Sequence, residues 1–231
     1  MKYNKIGIIV AMTKEYELVK STLQNTTEKE VHKFKFCTGL LGEKKIILMK
    51  SGIGKVNAAV ASIEMIEIYS PDCIINTGVA GGIDRNVNVA DIVIGEQTTY
   101  HDYYAGDVAD HIKELGFPVN ILADASMLNS LRTFGAKNNG IKFGLICTGD
   151  QFITNNVVLE QIKAKHPSGL AVDMESNSIA HVCFLRDVPF LSFRIISDTP
   201  WVDNHNEQYL NFWESAPQKN FSLLSGLIKN I

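Results

Sequence analysis

Short apolar runs alternate along the chain with longer segments in which apolar residues recur at helical spacing. A continuous apolar run, as in residues 5–11, is typical of a strand covered on both faces, whereas the single apolar stripe of residues 55–69 predicts an amphipathic helix. The pattern predicts strands over residues 5–11, 31–38, 45–49, 73–77, 91–94, 97–100, 143–148, 170–173 and 190–196. It predicts helices over residues 13–23, 55–69, 125–136 and 156–165, from just after residue 173 to about 186, and over about 207–229.

This alternation of strands and helices predicts an α/β fold, because a sheet buries its apolar faces under helices. We expect a three-layer single domain over residues 1–231, with a mixed, largely parallel central sheet flanked by helices. No linker, internal repeat or low-complexity segment interrupts the pattern. A glycine-rich turn is expected at residues 78–82. A long loop is expected at residues 102–120, and a loop of that length in a compact domain is usually functional or mobile.

Composition narrows the class of partner. The 231 residues carry a net charge of −3, with no Lys or Arg run that would indicate a nucleic acid or an anionic membrane. Apolar runs fall short of the roughly 18 residues that span a bilayer, and the N-terminal run predicts a strand, not a signal peptide. Four cysteines without a CxxC pair favour buried thiols in a reducing compartment. We therefore expect a cytoplasmic protein with a small-molecule ligand.

The ends of the predicted strands hold most of the unusual residues. In α/β sheets a ligand binds outside the carboxyl ends of the strands. Five such ends combine acidic, glycine-rich or aromatic positions, at residues 12–15, 78–82, 148–153, 173–175 and 197–198. Because these ends are expected to meet at one edge of the sheet, the sequence predicts a ligand site there.

Acidic side chains that suit catalysis or sugar binding stand at three of these strand ends. Asp173 and Glu175 flank Met174 and would point the same way on an extended chain. There a carboxylate can accept hydrogen bonds from two adjacent sugar hydroxyls. Asp198 follows a buried strand and suits a general acid, and Glu15 suits a base that activates water. Structural roles stay open for each, because carboxylates also favour the first turn of a helix and tight turns.

Other features bear on the kind of ligand. Arg194 lies four residues before Asp198, on the same face of an ideal strand, and is expected to orient that carboxyl. Phe152 offers a stacking surface for a flat base, although a core position also explains it. Residues 78–82 lack both GxGxxG and a P-loop lysine, which argues against dinucleotides and triphosphates. The histidines show no HxH or HExxH spacing, so no metal is expected.

The motifs NTGVAGG, YHD, TGDQFI, VDMES and RIISD, in that order, resemble those of the nucleoside phosphorylase/nucleosidase superfamily. With the opening GIIVAMTKEYE and the segment SGIGKVNAA, they look most like 5′-methylthioadenosine/S-adenosylhomocysteine nucleosidases over residues 5–197. The resemblance implies a nucleoside phosphorylase-like fold, a homodimer and no metal or organic cofactor. It also implies a nucleoside substrate whose N-glycosidic bond is hydrolysed, releasing adenine and a 5′-thio-substituted ribose.

Carried over to this sequence, the resemblance implies catalytic roles. Asp198 would protonate N7 of the leaving adenine, with Arg194 and Ser197 as its supporting residues. Glu15 would position or activate the attacking water. Glu175 would hold the 2′- and 3′-hydroxyls of the ribose.

The resemblance also implies substrate contacts. Phe152 would stack on the base, and the backbone of Ile153 would bind the adenine edge. Met174 would pack on the sugar, and Met12 would line the site. The last two predicted contacts depart from the family pattern. They are Val79, which replaces the serine of NTGSAGG, and Asp173, which replaces a glutamate found in some members.

Two other functions stay open at this point. A phosphorylase would need arginines to hold phosphate, and the first and third strand ends offer none. A non-catalytic module that binds a purine nucleoside would tolerate the loss of the serine hydroxyl at Val79. Hydrolysis is favoured because the acid, the carboxylate for the sugar and the carboxylate for water are all present.

Overall fold

The computed structural model describes residues 3–104, 118–136, 140–199, 201–202, 205–215 and 217–231. These residues form ten strands and seven helices. The strands are β1 (Lys5–Val10), β2 (Gln24–Val31), β3 (Phe34–Leu41), β4 (Lys44–Lys50), β5 (Cys73–Gly82), β6 (Ile92–Tyr100), β7 (Asn120–Leu122), β8 (Ile141–Thr148), β9 (Gly169–Asp173) and β10 (Phe190–Asp198). The helices are α1 (Thr13–Lys20), α2 (Lys55–Tyr69), α3 (Ala125–Gly135), α4 (Asn156–Lys165), α5 (Ser176–Leu185), α6 (His205–Ser215) and α7 (Pro217–Lys229).

The described strands form one mixed sheet in the order β10-β6-β8-β9-β5-β1-β4-β3-β2, with β7 paired to β6. β5 is parallel to both β1 and β10, and β8 is parallel to both β6 and β9. β10 also runs antiparallel to β6, and the last residues of β5 run antiparallel to β9. The five strands β5, β10, β6, β8 and β9 therefore close into a ring. The pairing of the last residues of β5 with β9 completes this ring and brings the C-terminal ends of the two strands together.

Helices pack on both faces of the central strands of the sheet, which confirms the predicted α/β architecture. On β1, Ile8 and Val10 pack into one apolar cluster with α1, α3 and α7, while Ile9 faces a second cluster under α2 and α5. This explains the continuous apolar run, because a strand covered on both sides needs apolar residues at every position. All four cysteines are buried free thiols, as predicted. In the part of the chain described here, no helix is long and apolar enough to cross a membrane.

Two predictions near the sheet are wrong. The strand expected over residues 31–38 contains a hairpin turn at His32 and Lys33, whose φ angles of 48° and 67° are left-handed. The glycine-rich segment 78–82 is not a turn, because β5 continues through it and pairs with β10 and β9. It stays extended since two neighbouring strands supply hydrogen-bond partners to its backbone.

Several other boundaries also differ. The strands predicted over 91–94 and 97–100 are one strand, β6 (Ile92–Tyr100), whose register shifts between Gly95 and Gln97, where a break was expected. The helix expected over 207–229 is two helices, α6 and α7. The helix predicted to reach residue 23 ends at Lys20, and the short strand β7 was not predicted. Most of the predicted 102–120 loop lies outside the described residues.

Candidate active site

An open cleft lies where the C-terminal ends of β1, β5, β9 and β10 meet, bounded by the segment after β8 and by α6. Its cavity volume is about 110 Å³. Ten of the eleven site residues predicted from the sequence line it, and they come from all five predicted strand ends. The eleventh, Arg194, is buried and does not line the cleft. The fold thus brings together side chains that lie far apart in the sequence.

Glu15 is the most enclosed acid of the cleft, with 1% of its surface exposed. It lies in the first turn of α1, and one carboxylate oxygen accepts hydrogen bonds from the backbone N–H groups of Ala11 (3.0 Å) and Met12 (2.9 Å). The other oxygen accepts from the N–H of Val79 at 3.0 Å. Burial raises the pKa of Glu15, while Arg194 and these N–H donors act in the opposite direction. The carboxylate is therefore fixed in place between β1 and β5.

Arg194 on β10 is a buried cation shared by carboxylates. Its Nη2 atom lies 2.7 Å from Oδ2 of Asp173 and 3.5 Å from Oε2 of Glu175. The guanidinium also donates to Oγ of Ser176 at 3.1–3.2 Å and to the side-chain oxygen of Asn76. A buried charge is stable only when it is paired and hydrogen-bonded, and Arg194 meets both conditions.

The prediction that Arg194 orients Asp198 is wrong, since its contacts run to Asp173 and Glu175. On a regular strand Arg194 and Asp198 would share a face, but the register of β10 against β5 shifts between Ile196 and Asp198. The extra residue of this bulge reverses the alternation of side chains beyond it.

The carboxylate of Asp173 is fully engaged by the protein. Its oxygens accept from the Thr148 hydroxyl at 2.6 Å and from the Ser176 N–H at 3.3 Å, and they pair with Arg194. The side chain is 1% exposed, although the residue itself lines the cleft. This geometry favours a positioning role for Asp173, whereas the sequence predicted a substrate contact.

Glu175 precedes α5 and reaches the cleft from a different direction. Its Oε1 atom accepts a hydrogen bond from the N–H of Gly54 at 3.0 Å. Burial raises the pKa of Glu175 to about 7, and the neighbouring Asp173 and Glu15 add to this effect. Arg194 and the Gly54 N–H oppose it. A carboxylate held in this way can accept further hydrogen bonds from a ligand.

Asp198 stands at the end of β10, with 2% of its surface exposed. The Ser197 hydroxyl donates to Oδ1 of Asp198 at 2.7 Å and contacts the Ala80 carbonyl at 3.3 Å, which places Ser197 beside the Asp198 carboxyl. Burial raises the pKa of Asp198 to about 6, against the opposing effects of Ser197 and His205. A carboxyl with that pKa keeps a protonated fraction near neutral pH and can donate a proton.

The apolar wall of the cleft is built from four separated segments. Phe152 is 52% exposed, and its ring meets that of Tyr209 edge-on, with centroids 5.4 Å apart. The Tyr209 hydroxyl donates to Sδ of Met12 at 3.7 Å. Met174 and the buried Ile153 also line this cleft. An exposed aromatic face beside an apolar wall suits a flat base.

Sequence reasoning missed several cleft residues. Tyr209, Ile53 and Gln151 line the cleft, and none was predicted. The density of aromatic residues in 201–213 was a signal for Tyr209, because exposed aromatic residues often mark a binding surface. Trp201 from the same segment does not line the cleft; its indole N–H donates to the Ile83 carbonyl at 3.0 Å and holds this segment against the protein.

Gly78 shows why the last residues of β5 are rich in glycine. A Cβ atom at this position would lie 2.8 Å from Nη1 of Arg194 and closer still to Oε1 of Glu15. We expect Gly78→Ala to displace Glu15, to destabilise the protein by roughly 1–3 kcal/mol through overpacking, and to lower kcat/KM up to about 100-fold. Urea unfolding and an activity assay would measure both effects.

Gly82→Ala on the same strand is the matched control. Its added Cβ would meet nothing nearer than 3.1 Å, and the atoms it meets belong to side chains. It should therefore cost less stability and retain activity. Equal losses in the two variants would contradict the role given to Gly78.

Comparisons with known proteins agree with this geometry. A model of the phosphorylase superfamily matches residues 5–229. A 5′-methylthioadenosine/S-adenosylhomocysteine nucleosidase of Haemophilus influenzae is 40% identical over 98% of this chain and 99% of its own length. The enzyme of the same name from Halalkalibacterium halodurans is 36% identical, covering 97% of each chain.

A solved structure agrees as well. The Streptococcus pneumoniae nucleosidase of this name, determined with the transition-state inhibitor MT-ImmA, superposes with a TM-score of 0.87 at 29% identity, covering 98% of this chain and 99% of that one. The chain therefore belongs to the phosphorylase superfamily and, within it, to the family of 5′-methylthioadenosine/S-adenosylhomocysteine nucleosidases.

Proposed function

We propose that this protein hydrolyses the N-glycosidic bond of 5′-methylthioadenosine and S-adenosylhomocysteine, releasing adenine and the 5′-thio-substituted ribose. The observation that carries the proposal is the arrangement of Asp198, Glu15 and Glu175, three differently held carboxyl groups around one cleft. Relatives named for this activity support it.

The leaving base sets the main chemical demand. Adenine departs poorly as an anion, and a proton placed on its ring removes that barrier. Asp198 is assigned this step, because its raised pKa of about 6 lets it hold a proton and release it to N7. Phe152 stacks on the base, and the backbone of Ile153 binds its edge.

The sugar develops positive charge as the bond breaks, as in other glycosyl transfers. Glu15 stands close enough to Arg194 and the backbone N–H donors to stay fixed, and it presents and deprotonates the attacking water. Glu175 accepts hydrogen bonds from the 2′- and 3′-hydroxyls, with Met174 packed against the ring. The proton balance closes, since Glu15 takes one proton from water while Asp198 gives one to adenine.

The replacement of serine by Val79 leaves the contact with Glu15 intact. That contact uses the backbone N–H of Val79, which every residue except proline supplies. The Val79 side chain lines the cleft and also packs against the apolar core, so the exchange changes the cleft wall without removing this contact.

Phosphorolysis is disfavoured by the charge of the cleft. Of the described residues that line it, none is basic and four are acidic: Glu15, Asp173, Glu175 and Asp198. The nearby guanidinium of Arg194 is already paired with carboxylates. Carboxylates repel phosphate, and phosphate sites rely on free arginines.

Incubation of the purified protein with 5′-methylthioadenosine in phosphate-free buffer tests the proposal, with adenine followed by chromatography. Release of adenine and free methylthioribose is expected. Release only after phosphate is added would move the assignment to a phosphorylase. Tight binding without release under either condition would support a binding module.

The proposed roles predict a bell-shaped dependence of kcat/KM on pH. Asp198 must be protonated to donate, so activity falls as the pH rises above its pKa of about 6. Glu175 must be ionised to accept two hydroxyl hydrogens, so activity falls as the pH drops below its pKa of about 7. The maximum should therefore lie between about pH 6 and 7. Initial rates at low substrate from pH 4 to 9 would show it, and a flat profile would contradict the assignment.

We also propose that the protein is a cytoplasmic homodimer. Exposed apolar side chains lie on α2, at Val56, Val60 and Ile63, and at the end of α5, at Phe184 and Leu185, and the two helices pack against each other. An apolar face of this kind on a globular protein usually marks an interface. Sedimentation should give a dimer for the wild-type protein and a monomer for Val56→Glu/Val60→Glu. A wild-type monomer would refute the dimer.

A further inference from the structure

A cluster of three charged side chains joins two walls of the cleft. Lys55 is the first residue of α2, and its Nζ atom lies 2.8–2.9 Å from both carboxylate oxygens of Asp102 and 3.6 Å from Asp150. The Lys55 ammonium also stands over the ring of Tyr100, 5.4 Å from its centroid. These side chains are partly exposed, so the cluster lies at the rim of the protein and not in its core.

Backbone hydrogen bonds connect this cluster to the neighbouring segments of the chain. Asp150 Oδ1 accepts the N–H of Lys55 at 2.8 Å, which satisfies one of the N–H groups left free at the start of α2. Asp102 Oδ2 accepts the N–H of Asp150 at 2.9 Å. The start of α2 is thus tied to the segment that follows β8, which carries Phe152 into the cleft.

Gly54 connects the cluster to the cleft. It precedes Lys55 with a left-handed φ of 95°, and its N–H donates to Glu175 at 3.0 Å. A Cβ atom at Gly54 would lie 3.1 Å from Oδ1 of Asp150, so the two segments are in close contact. Any shift of the Lys55 backbone would move the N–H group that holds Glu175.

We propose that Lys55 and Asp150 are positioning residues, which fix the Gly54 N–H on Glu175 and thereby set the carboxylate that receives the ribose diol. The inference rests on the proposed function, because it assigns the diol to Glu175. It adds a role for side chains that do not touch the substrate. The cluster would tighten binding of any nucleoside with both hydroxyls and leave the chemical step nearly unchanged.

The test compares two substrates and three variants of the full-length protein. Lys55→Met removes the ammonium, Lys55→Arg keeps a cation, and Lys142→Met breaks a remote surface pair with Asp91 at 3.6 Å. The substrates are 5′-methylthioadenosine and its 2′,3′-dideoxy analogue. For Lys55→Met we expect KM for the full substrate to rise roughly fivefold to tenfold, with kcat changed less than about threefold.

The diol dependence distinguishes positioning from a general loss of structure. With the dideoxy analogue, Glu175 has no hydroxyl to hold, so Lys55→Met should change kcat/KM by less than about twofold. Lys55→Arg should have a KM close to that of the wild type, and Lys142→Met should match the wild type on both substrates. Equal losses on both substrates, or an unchanged KM in Lys55→Met, would overturn the proposal.

Amide hydrogen exchange gives a readout that needs no activity. The Gly54 and Lys55 amides should exchange faster in Lys55→Met and in Asp150→Ala than in the wild type. Asp150→Ala removes the acceptor of the Lys55 N–H, and Lys55→Met removes the cation that holds that acceptor. In both variants the Gly54 N–H is then held less firmly against Glu175. Unchanged exchange would also count against the cluster. Failure of the proposed function looks different: the wild-type protein would release no adenine, whatever the amides do.

Discussion

Replacement of Asp198 by asparagine should lower kcat for adenine release by roughly 10²–10⁴-fold, the usual contribution of a general acid. Asparagine keeps the size of the side chain and can still accept the Ser197 hydroxyl, which now donates to Oδ1 at 2.7 Å. It cannot supply a proton to the leaving base. The steady-state rate with 5′-methylthioadenosine measures the loss.

Asp187→Asn is the matched control for this variant. Asp187 is exposed and has a left-handed φ of 52°, a conformation that asparagine tolerates well. The control should keep wild-type kcat, and both variants should unfold at nearly the wild-type urea concentration. If Asp198→Asn retained more than about a tenth of wild-type kcat, another group would have to be the proton donor.

Arg194→Met should cause the largest loss of stability, roughly 3–5 kcal/mol, which is the cost of leaving buried carboxylates without their cation. Asp173, Glu175 and Glu15 all lie in the field of this guanidinium, and Arg194 itself is 1% exposed. Methionine fills a similar volume, so the effect reports charge more than packing. Urea unfolding at pH 8 gives the change in the free energy of unfolding.

The loss in Arg194→Met should depend on pH with a definite sign. Without the cation, the pKa values of Glu15 and Glu175 rise further above their unfolded values, which lie near 4. The loss of unfolding free energy in Arg194→Met is therefore nearly absent below about pH 4, and it grows as the pH rises through the folded-state pKa values. Arg194→Lys keeps a charge and should lose less. A penalty of the same size at pH 4 and pH 8 would show that packing, not charge, explains it.

Most of the strand ends that form the cleft were predictable, although β5 continues to Gly82 and does not end at residue 77 as expected. Continuous apolar runs predicted the positions of β1 and β10, and Glu15 and Asp198 lie a few residues beyond those runs. The bulge before Asp198 was not predictable, because it arises from pairing with β5 and leaves no mark in the local pattern. This is why the predicted partner of Arg194 was wrong, whereas Asp198 does lie in the cleft as expected.

Other misses have local causes. The turn between β2 and β3 uses His32 and Lys33 where a two-residue hairpin usually has Asn-Gly, so turn chemistry gave no warning. The division of the last helix had a usable signal, because Pro217 is the first residue of α7 and proline favours that position. The single domain, the dimer and the catalytic roles stay predictions.

The closed ring of strands has a consequence for how the protein folds. β5 pairs with β1, β9 and β10, and the bonds that complete the cleft join residues 64 and 121 positions apart, Glu15 with Val79 and Gly54 with Glu175. Pairings between distant residues form slowly, so recovery of activity after dilution from urea should lag behind the recovery of helical circular dichroism. During that lag the open edges of β5 and β10 can pair with other chains, so refolding yield should fall as protein concentration rises.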